Sequence, residues 1–391
     1  MAMGRKQLIT LFLVGVVGYS LGNGLIPLLP VYARNLGATP ELVGYYLSIC
    51  YASIAAGTIA GGWLADRLDR RKVLLVAAGV VASPALGLMG MVSDIWMLTA
   101  LTALVWFSFG LGGTQISILA GLSAREAERG KVFGILGVTA GLGSLIGGLS
   151  IGFLADVLGY PAMLLALAIA CVLWPLIALL TEDRRVSVTD SGAPEAKDDR
   201  RLPGSLYLLL VSSTVVFVAH FGQLLARSLA MNDLGFGATA ISSTTAIVGA
   251  TTMPLPVVLG VLSDRFGRKG ALTLSYVIAV VGLLVLAQAT AFWHFAVTAS
   301  LLAVLPASNA VGSALTRDLV PRESVGRGMA AFNATRWVGG VLGFASAGRA
   351  VQSVGMTTTF VLAGLLPVLA IALLTPIRET QRGVPERRRA G

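Results

Sequence analysis

Charge is what this 391-residue chain has least of: Asp, Glu, Lys and Arg together make up 12% of it, about half the share of an ordinary soluble domain. So little polar surface cannot cover a core in water, and with 55% hydrophobic residues the missing contacts fall to a bilayer. Cysteine is nearly absent. Cys50 and Cys171 both sit in apolar runs, which excludes a disulfide framework or a CxxC metal site and leaves two small buried hydrophobes. The only histidines are His220 and His294, and no glycine-rich phosphate loop is present. Enzyme chemistry and ATP-driven pumping therefore find no support, and no cofactor or metal is expected. The net charge of +10 sits in short basic clusters between apolar runs. Such clusters suit lipid headgroups and membrane topology, and no nucleic-acid partner is expected.

A spanning helix needs about 20 mainly apolar residues. Reading between charge clusters and turn residues gives twelve runs: 7–33, 41–65, 73–92, 95–120, 132–155, 160–180, 205–230, 239–263, 270–290, 293–316, 328–348 and 356–376. The basic start, Met1 to Lys6, precedes a run long enough to span and no small-residue cleavage site, so the first run reads as an uncleaved helix. With the N-terminus in the cytoplasm, 25 of the 29 Lys and Arg fall in the tails and loops on that side. Only Arg34, Arg227, Arg336 and Arg349 are left over, so the positive-inside rule predicts both termini cytoplasmic in a plasma (inner) membrane.

The two halves echo each other. Gly62-Trp63-Leu64-Ala65-Asp66-Arg67-Leu68-Asp69-Arg70-Arg71-Lys72 returns 198 residues later as Gly260-Val261-Leu262-Ser263-Asp264-Arg265-Phe266-Gly267-Arg268-Lys269-Gly270. Leu36-Gly37-Ala38-Thr39 likewise precedes Leu234-Gly235-Phe236-Gly237-Ala238-Thr239, and Gly143, Gly147 and Gly159 match Gly339, Gly343 and Gly355. The domains expected are a six-helix half over 1–180, a solvated linker over 181–204, a second six-helix half over 205–376 and a basic tail over 377–391.

The doubled loop resembles the signature of the major facilitator superfamily, and the resemblance covers nearly the whole chain. The second copy matches that signature in full; the first has Asp69 where the family has Gly. Pro27-Leu28-Leu29-Pro30 in the first run and Gly143-Ser144-Leu145-Ile146-Gly147-Gly148 in the fifth are similar to the drug-efflux branch. Two departures stand out: Ser144 replaces the proline of the antiporter glycine motif, and Trp106, four before Gly110, stands where proton-coupled members carry arginine.

The resemblance implies an all-α membrane fold of twelve helices in two pseudo-symmetric halves, with the first, fourth, seventh and tenth lining a cavity. It also makes the doubled loop a conformational latch: Gly62, Asp66, Arg67, Arg70 and Arg71 in one copy, Gly260, Asp264, Arg265, Arg268 and Lys269 in the other. Gly62 and Gly260 would allow close helix approach. Asp66 and Asp264 would pair with nearby cations or with a helix N-terminus. Topogenic charge explains the cations equally well. The glycine clusters read either as membrane packing or as faces that slide and seal as the halves rock.

Ionisable side chains at mid-membrane are costly, so each needs a reason. No Asp or Glu falls deep in a span; the deep ionisable groups are His220 and Arg336, with Arg227 two turns beyond His220. His220, Gln223 and Arg227 share one helix face, as do Asn333 and Arg336. Such a stripe should look into a wet cavity or another polar surface. Asn23, Gln115 and Asn309 add polar groups on the other lining helices. Each amide has an alternative as an interhelical hydrogen bond, and Arg227 could reach the outer headgroups. The cations suit an anionic or carboxylate-bearing substrate, and His220 is the candidate site for a coupling proton.

The function expected is secondary transport by alternating access, exporting a small organic or amphipathic solute with protons as candidate coupling ion, the chain acting as a monomer. An organic-anion importer or exchanger is the alternative, and a transport-inactive receptor a third.

Overall fold

The computed structural model describes residues 4–125, 128–183, 202–321 and 324–377. Most of the expected linker and nearly all of the basic tail lie outside the described residues. The described residues are mostly α-helical, with no strand among them. The helices are α1 (Arg5–Leu25), α2 (Leu29–Asn35), α3 (Pro40–Leu68), α4 (Arg71–Met89), α5 (Ile95–Ser123), α6 (Arg129–Cys171), α7 (Leu173–Ala178) and α8 (Gly204–Asp233). The second half continues with α9 (Ala238–Thr252), α10 (Leu255–Phe266), α11 (Arg268–Leu286), α12 (Phe292–Leu302), α13 (Val304–Leu319), α14 (Val325–Val354) and α15 (Met356–Leu374).

With α6–α7 and α12–α13 each counted as one, nine helices among the described residues are long and apolar enough to cross a membrane, ten if α9 and α10 form one span bent by 44°. The sequence explains the breaks. Pro27 and Pro30 separate α1 from α2, and Pro254 and Pro256 flank the α9–α10 bend, because proline offers no N–H to the helix ladder. Two further features account for the difference from the twelve spans expected. α6 is interrupted at Gly159, whose φ of 77° and ψ of 164° only glycine adopts readily, which splits one long run into two antiparallel rods. α14 is 30 residues long but carries Arg327, Arg336 and Arg349, which lower its apolarity.

Short turns close the helices on the face opposite the basic clusters, here the cation-poor face. Asp94 Oδ1 accepts from the backbone N–H groups of Trp96 and Met97 at 2.8 and 3.0 Å and starts α5. Thr39 Oγ1 accepts from Leu42 N–H at 3.3 Å and starts α3. On the basic face the two signature loops turn at corresponding residues. Gly267 takes φ 83°, ψ 158°, and its counterpart Asp69 takes φ 48°, ψ 31°. The latter is the left-handed well that Asp tolerates better than most side chains, so both loops turn at positive φ, but at a different ψ. The Asp69 carboxylate is free to pair with Arg71, 2.5 Å away.

Candidate functional site

Glycine decides where the two halves touch. On α6, Gly143 and Gly147 face Tyr19, Ser20 and Gly24 of α1, in the same half. Gly141, Gly148 and Gly152 face the other half: Gly249 and Met253, then Ala246, then Ala238, Thr239 and Ser242 of α9. Ser242 Oγ donates to the Gly148 carbonyl at 2.9 Å. α14 repeats the scheme. Gly339 and Gly343 pack on α8, whereas Gly340 meets Tyr51 and Gly348 meets Gly44 of α3 across the interface. Ser48 Oγ donates to the Val341 carbonyl at 2.8 Å along this seam.

Both seams run from the cation-poor face to mid-depth and stop. One turn beyond Gly141, nothing lies within 4 Å of a Cβ at Gly137, and Gly134 is equally free. On α3 the seam ends at Tyr51; Gly57 and Gly61 turn to α5, and Gly62 is open. The halves are thus closed on the cation-poor face and part toward the basic face.

At the floor of that opening sits Arg336, exposed, with its guanidinium against the Tyr51 hydroxyl and within electrostatic reach of Tyr19. It also lies 5.7 Å from the centre of the Trp337 ring. Tyr51 in turn packs on Phe221, Trp337 and Phe344, with ring centres 4.4 to 5.6 Å apart. Tyr19 and Tyr51 come from the first half and the others from the second, so one guanidinium and an aromatic cluster join both halves. Every described Asp and Glu lies in a loop or near a helix end, and Arg336 has no acidic partner among them. Sequence reasoning named Arg336 but missed these aromatics. The signal was the spacing Gly44, Ser48, Tyr51, one helix face that ends in a tyrosine.

The other polar residues divide. Asn333 is exposed on the face of Arg336, and Asn309 is half-buried on α13. Asn23 donates to Ser144 Oγ at 2.7 Å, so the serine that replaces the antiporter proline serves an α1–α6 bond. Gln115 is fully buried and donates to the Gly61 carbonyl at 2.8 Å; it is a packing bond between α5 and α3, away from the opening. The α8 stripe differs from a water-lined surface. Gln223 and Arg227 are each 1% exposed, and His220 is 9% exposed, beside the Phe217 and Phe221 rings. Burial of Arg227 also excludes reach to headgroups in this conformation. His220 Nδ1, Gln223 Oε1 and both Arg227 Nη atoms have no hydrogen-bond partner among the described residues. Trp106, where proton-coupled members carry arginine, is buried and stacks on Phe109, which stacks on Trp174.

The signature loops are disengaged. Asp66 and Asp264 are exposed and make no hydrogen bond or ion pair among the described residues, and nothing lies within 4 Å of a Cβ at Gly62 or Gly260. The close approach expected at these glycines is therefore not made here, because the halves are apart on this face. Their cations work locally. Arg67 lies over Trp63, Arg265 over Phe266, and Arg70 is exposed. Arg268 pairs with Asp318 at 2.5 Å and donates to Ser263, and Lys269 donates to the carbonyls of Thr375 and Ile377.

Comparison with known proteins agrees with this architecture. The profile of the Major Facilitator Superfamily matches residues 11–230 and again 209–391. The chain is 30% identical over 274 residues to multidrug resistance protein MdtG of Klebsiella pneumoniae (strain 342), a match spanning 65% of each chain. It is 27% identical over 341 residues to multi-drug resistance efflux pump PmrA of Streptococcus pneumoniae serotype 4, covering 81% of this chain and 82% of that one. Among solved structures, the nucleoside transporter NupG superposes with a TM-score of 0.79 at 12% identity, over 94% of this chain and 99% of that one. A bacterial homologue of the human lysosomal transporter Spinster superposes at 0.72 and 14% identity, covering 94% and 95%. Two matches in tandem, one on each half of a doubled helical bundle, show that the chain is a multi-pass membrane transporter belonging to the Major Facilitator Superfamily.

Proposed function

We propose that this transporter exports a small organic or amphipathic solute across the inner membrane by alternating access. The basic face is cytoplasmic, as are both termini, and the conformation described is open inward. The observation that carries the reading is the one-sided opening: glycine seams close the cation-poor face, while Arg336 and Tyr19 are exposed at the floor beside the buried Tyr51. Efflux is favoured by the drug-resistance functions for which MdtG and PmrA are named. The two six-helix halves, 1–180 and 205–376, move as units about the floor, and the signature aspartates engage when the basic face closes.

Aromatic rings suit amphipathic ring systems, and a guanidinium with no carboxylate partner among the described residues suits a carboxylate or other anionic group. That second feature also favours the alternative of an organic-anion importer or exchanger. Counterflow in proteoliposomes against organic anions, cations and neutral drugs, with and without a pH gradient, separates the two. Export predicts gradient-driven movement of amphipathic drugs out of the cytoplasmic side. Gradient-independent exchange of organic anions alone would replace it with the second reading. Proton coupling, with His220 as its candidate group, is read from the same gradient arm.

A further inference from the structure

The helix α9 begins without a cap of its own. Its first residue is Ala238, and the residue before it is Gly237, which has no side chain to accept from the free N–H groups of the first turn. The acceptor comes from the opposite half. Asp156 Oδ1 accepts from Ala238 N–H and Oδ2 from Thr239 N–H, both at 2.8 Å. The corresponding place in the first repeat is built differently. Two residues after the positive-φ Gly37, Thr39 caps α3 with its own hydroxyl; two residues after the positive-φ Gly235 stands the bare Gly237. A Cβ at Gly237 would lie 3.2 and 3.3 Å from the two Asp156 oxygens, so glycine leaves room for the incoming carboxylate.

We propose that Asp156 is a positioning residue of the transport cycle, a latch that holds the cation-poor face shut by capping α9 across the interface between the halves. The proposal rests on the alternating-access reading. It assigns to this face the carboxylate-to-helix device expected of the signature aspartates on the other. The two are used in turn: here Asp156 is engaged while Asp66 and Asp264 are exposed and unpaired among the described residues. A carboxylate is favoured at a helix N-terminus by the partial positive charge there. Asp156 is exposed, so it rehydrates when the seam opens and the bond is reversible. Among the described residues, and apart from the Arg336–Tyr51 contact at the floor, the other polar ties across the closed face are weaker holds: two serine-to-carbonyl bonds, and the surface Glu41–Arg349 pair at 3.8 Å.

The test measures opening at the other seam, where fraying of α9 has no effect. In the full-length protein with Cys50→Ala and Cys171→Ala, Ser48→Cys on α3, which gives up one serine tie equally in every arm, is labelled with a membrane-impermeant thiol reagent from the cation-poor side, with Asp156 intact, Asp156→Asn or Asp156→Ala. Removal of a helix cap, as in Asp156→Ala, corresponds to roughly a fivefold shift in a two-state ratio, and labelling should rise by about that factor; Asp156→Asn keeps one acceptor oxygen and should rise less. A further variant, Asp156→Ala with Gly237→Ser, returns a local cap to α9 but does not tie the halves. It should recover thermal stability and remain as open as Asp156→Ala. Unchanged labelling in folded Asp156→Ala, or closure restored by the local serine, overturns the latch. Labelling needs no substrate, so failure of drug counterflow with an intact labelling shift refutes the export reading and leaves the latch standing.

Discussion

Replacing Gly152 with valine should force the cation-poor face open without disturbing either half. A Cβ there would meet the Ala238 carbonyl oxygen, lie 2.6 Å from Ser242 Cβ and 2.8 Å from Thr239 Cα. Ordinary carbon contacts are about 3.5–4.0 Å, so α6 and α9 must separate by about 1 Å, and valine adds two methyls beyond that. Two of the three nearest atoms are backbone, which cannot rotate away. Overpacking of this kind costs about 1–3 kcal/mol. Because α6 and α9 belong to different halves, the cost falls on the closed arrangement alone and shifts the population about 5- to 150-fold toward the opposite one. Spin labels at Val157, beside the Gly159 break in α6, and Val354, at the end of α14, both exposed, report the change as a longer distance in double electron–electron resonance. Gly62→Val is the control, since nothing lies within 4 Å of a Cβ there in this conformation, and the label distance should not lengthen. A folded Gly152→Val protein with the parent distance distribution would refute the seam argument.

Arg336→Ala should weaken binding of anionic amphipaths about 10- to 150-fold, the value of a charge-assisted hydrogen bond, with less effect on neutral drugs; isothermal titration with both classes checks it. Wild-type affinity would remove Arg336 from the site. Gln115→Leu should cost about 0.6 kcal/mol of stability, the usual worth of an interhelical hydrogen bond in a membrane, and leave transport intact in counterflow. His220→Ala should abolish gradient-driven accumulation and spare downhill exchange where the imidazole carries the coupling proton; unchanged gradient-driven flux dismisses that role.

The membrane fold was legible because its causes are one-dimensional. Scarce charge, long apolar runs and a doubled loop survive any rearrangement of helices, and Gly159, Gly267 and Gly355 mark turns through backbone geometry alone. The site was only partly legible. Arg336 could be singled out because depth in a span is countable along the chain. Gln115 and the α8 stripe could not be placed, because a helix face has no address until its neighbours are known. Three residues with the same polar signature thus ended in different surroundings: Gln115 against a carbonyl of α3, Gln223 walled in, Asn333 open. The aromatics were invisible for the opposite reason. Tyr and Phe are unremarkable in an apolar run, and only the convergence of α1, α3, α8 and α14 turns Tyr19, Tyr51 and Phe221 into the surroundings of a guanidinium.

The glycine runs carry one more inference. Gly143, Gly147 and Gly152 on α6 match Gly339, Gly343 and Gly348 on α14 at a constant offset of 196 residues. In both runs the first two pack within a half and the third packs across. Each long helix therefore serves as a pivot with one glycine edge fixed to its own half and a second edge free to meet the other. A mutation on the fixed edge, such as Gly147→Val against Ser20 and Gly24, should disrupt a half and lower its unfolding temperature. The same change at Gly152 or Gly348 should spare the unfolding temperature and alter the balance of conformations. Equal loss of stability at both edges would mean that the halves form one rigid body, and the one-sided opening would then be a fixed shape with no transport cycle behind it.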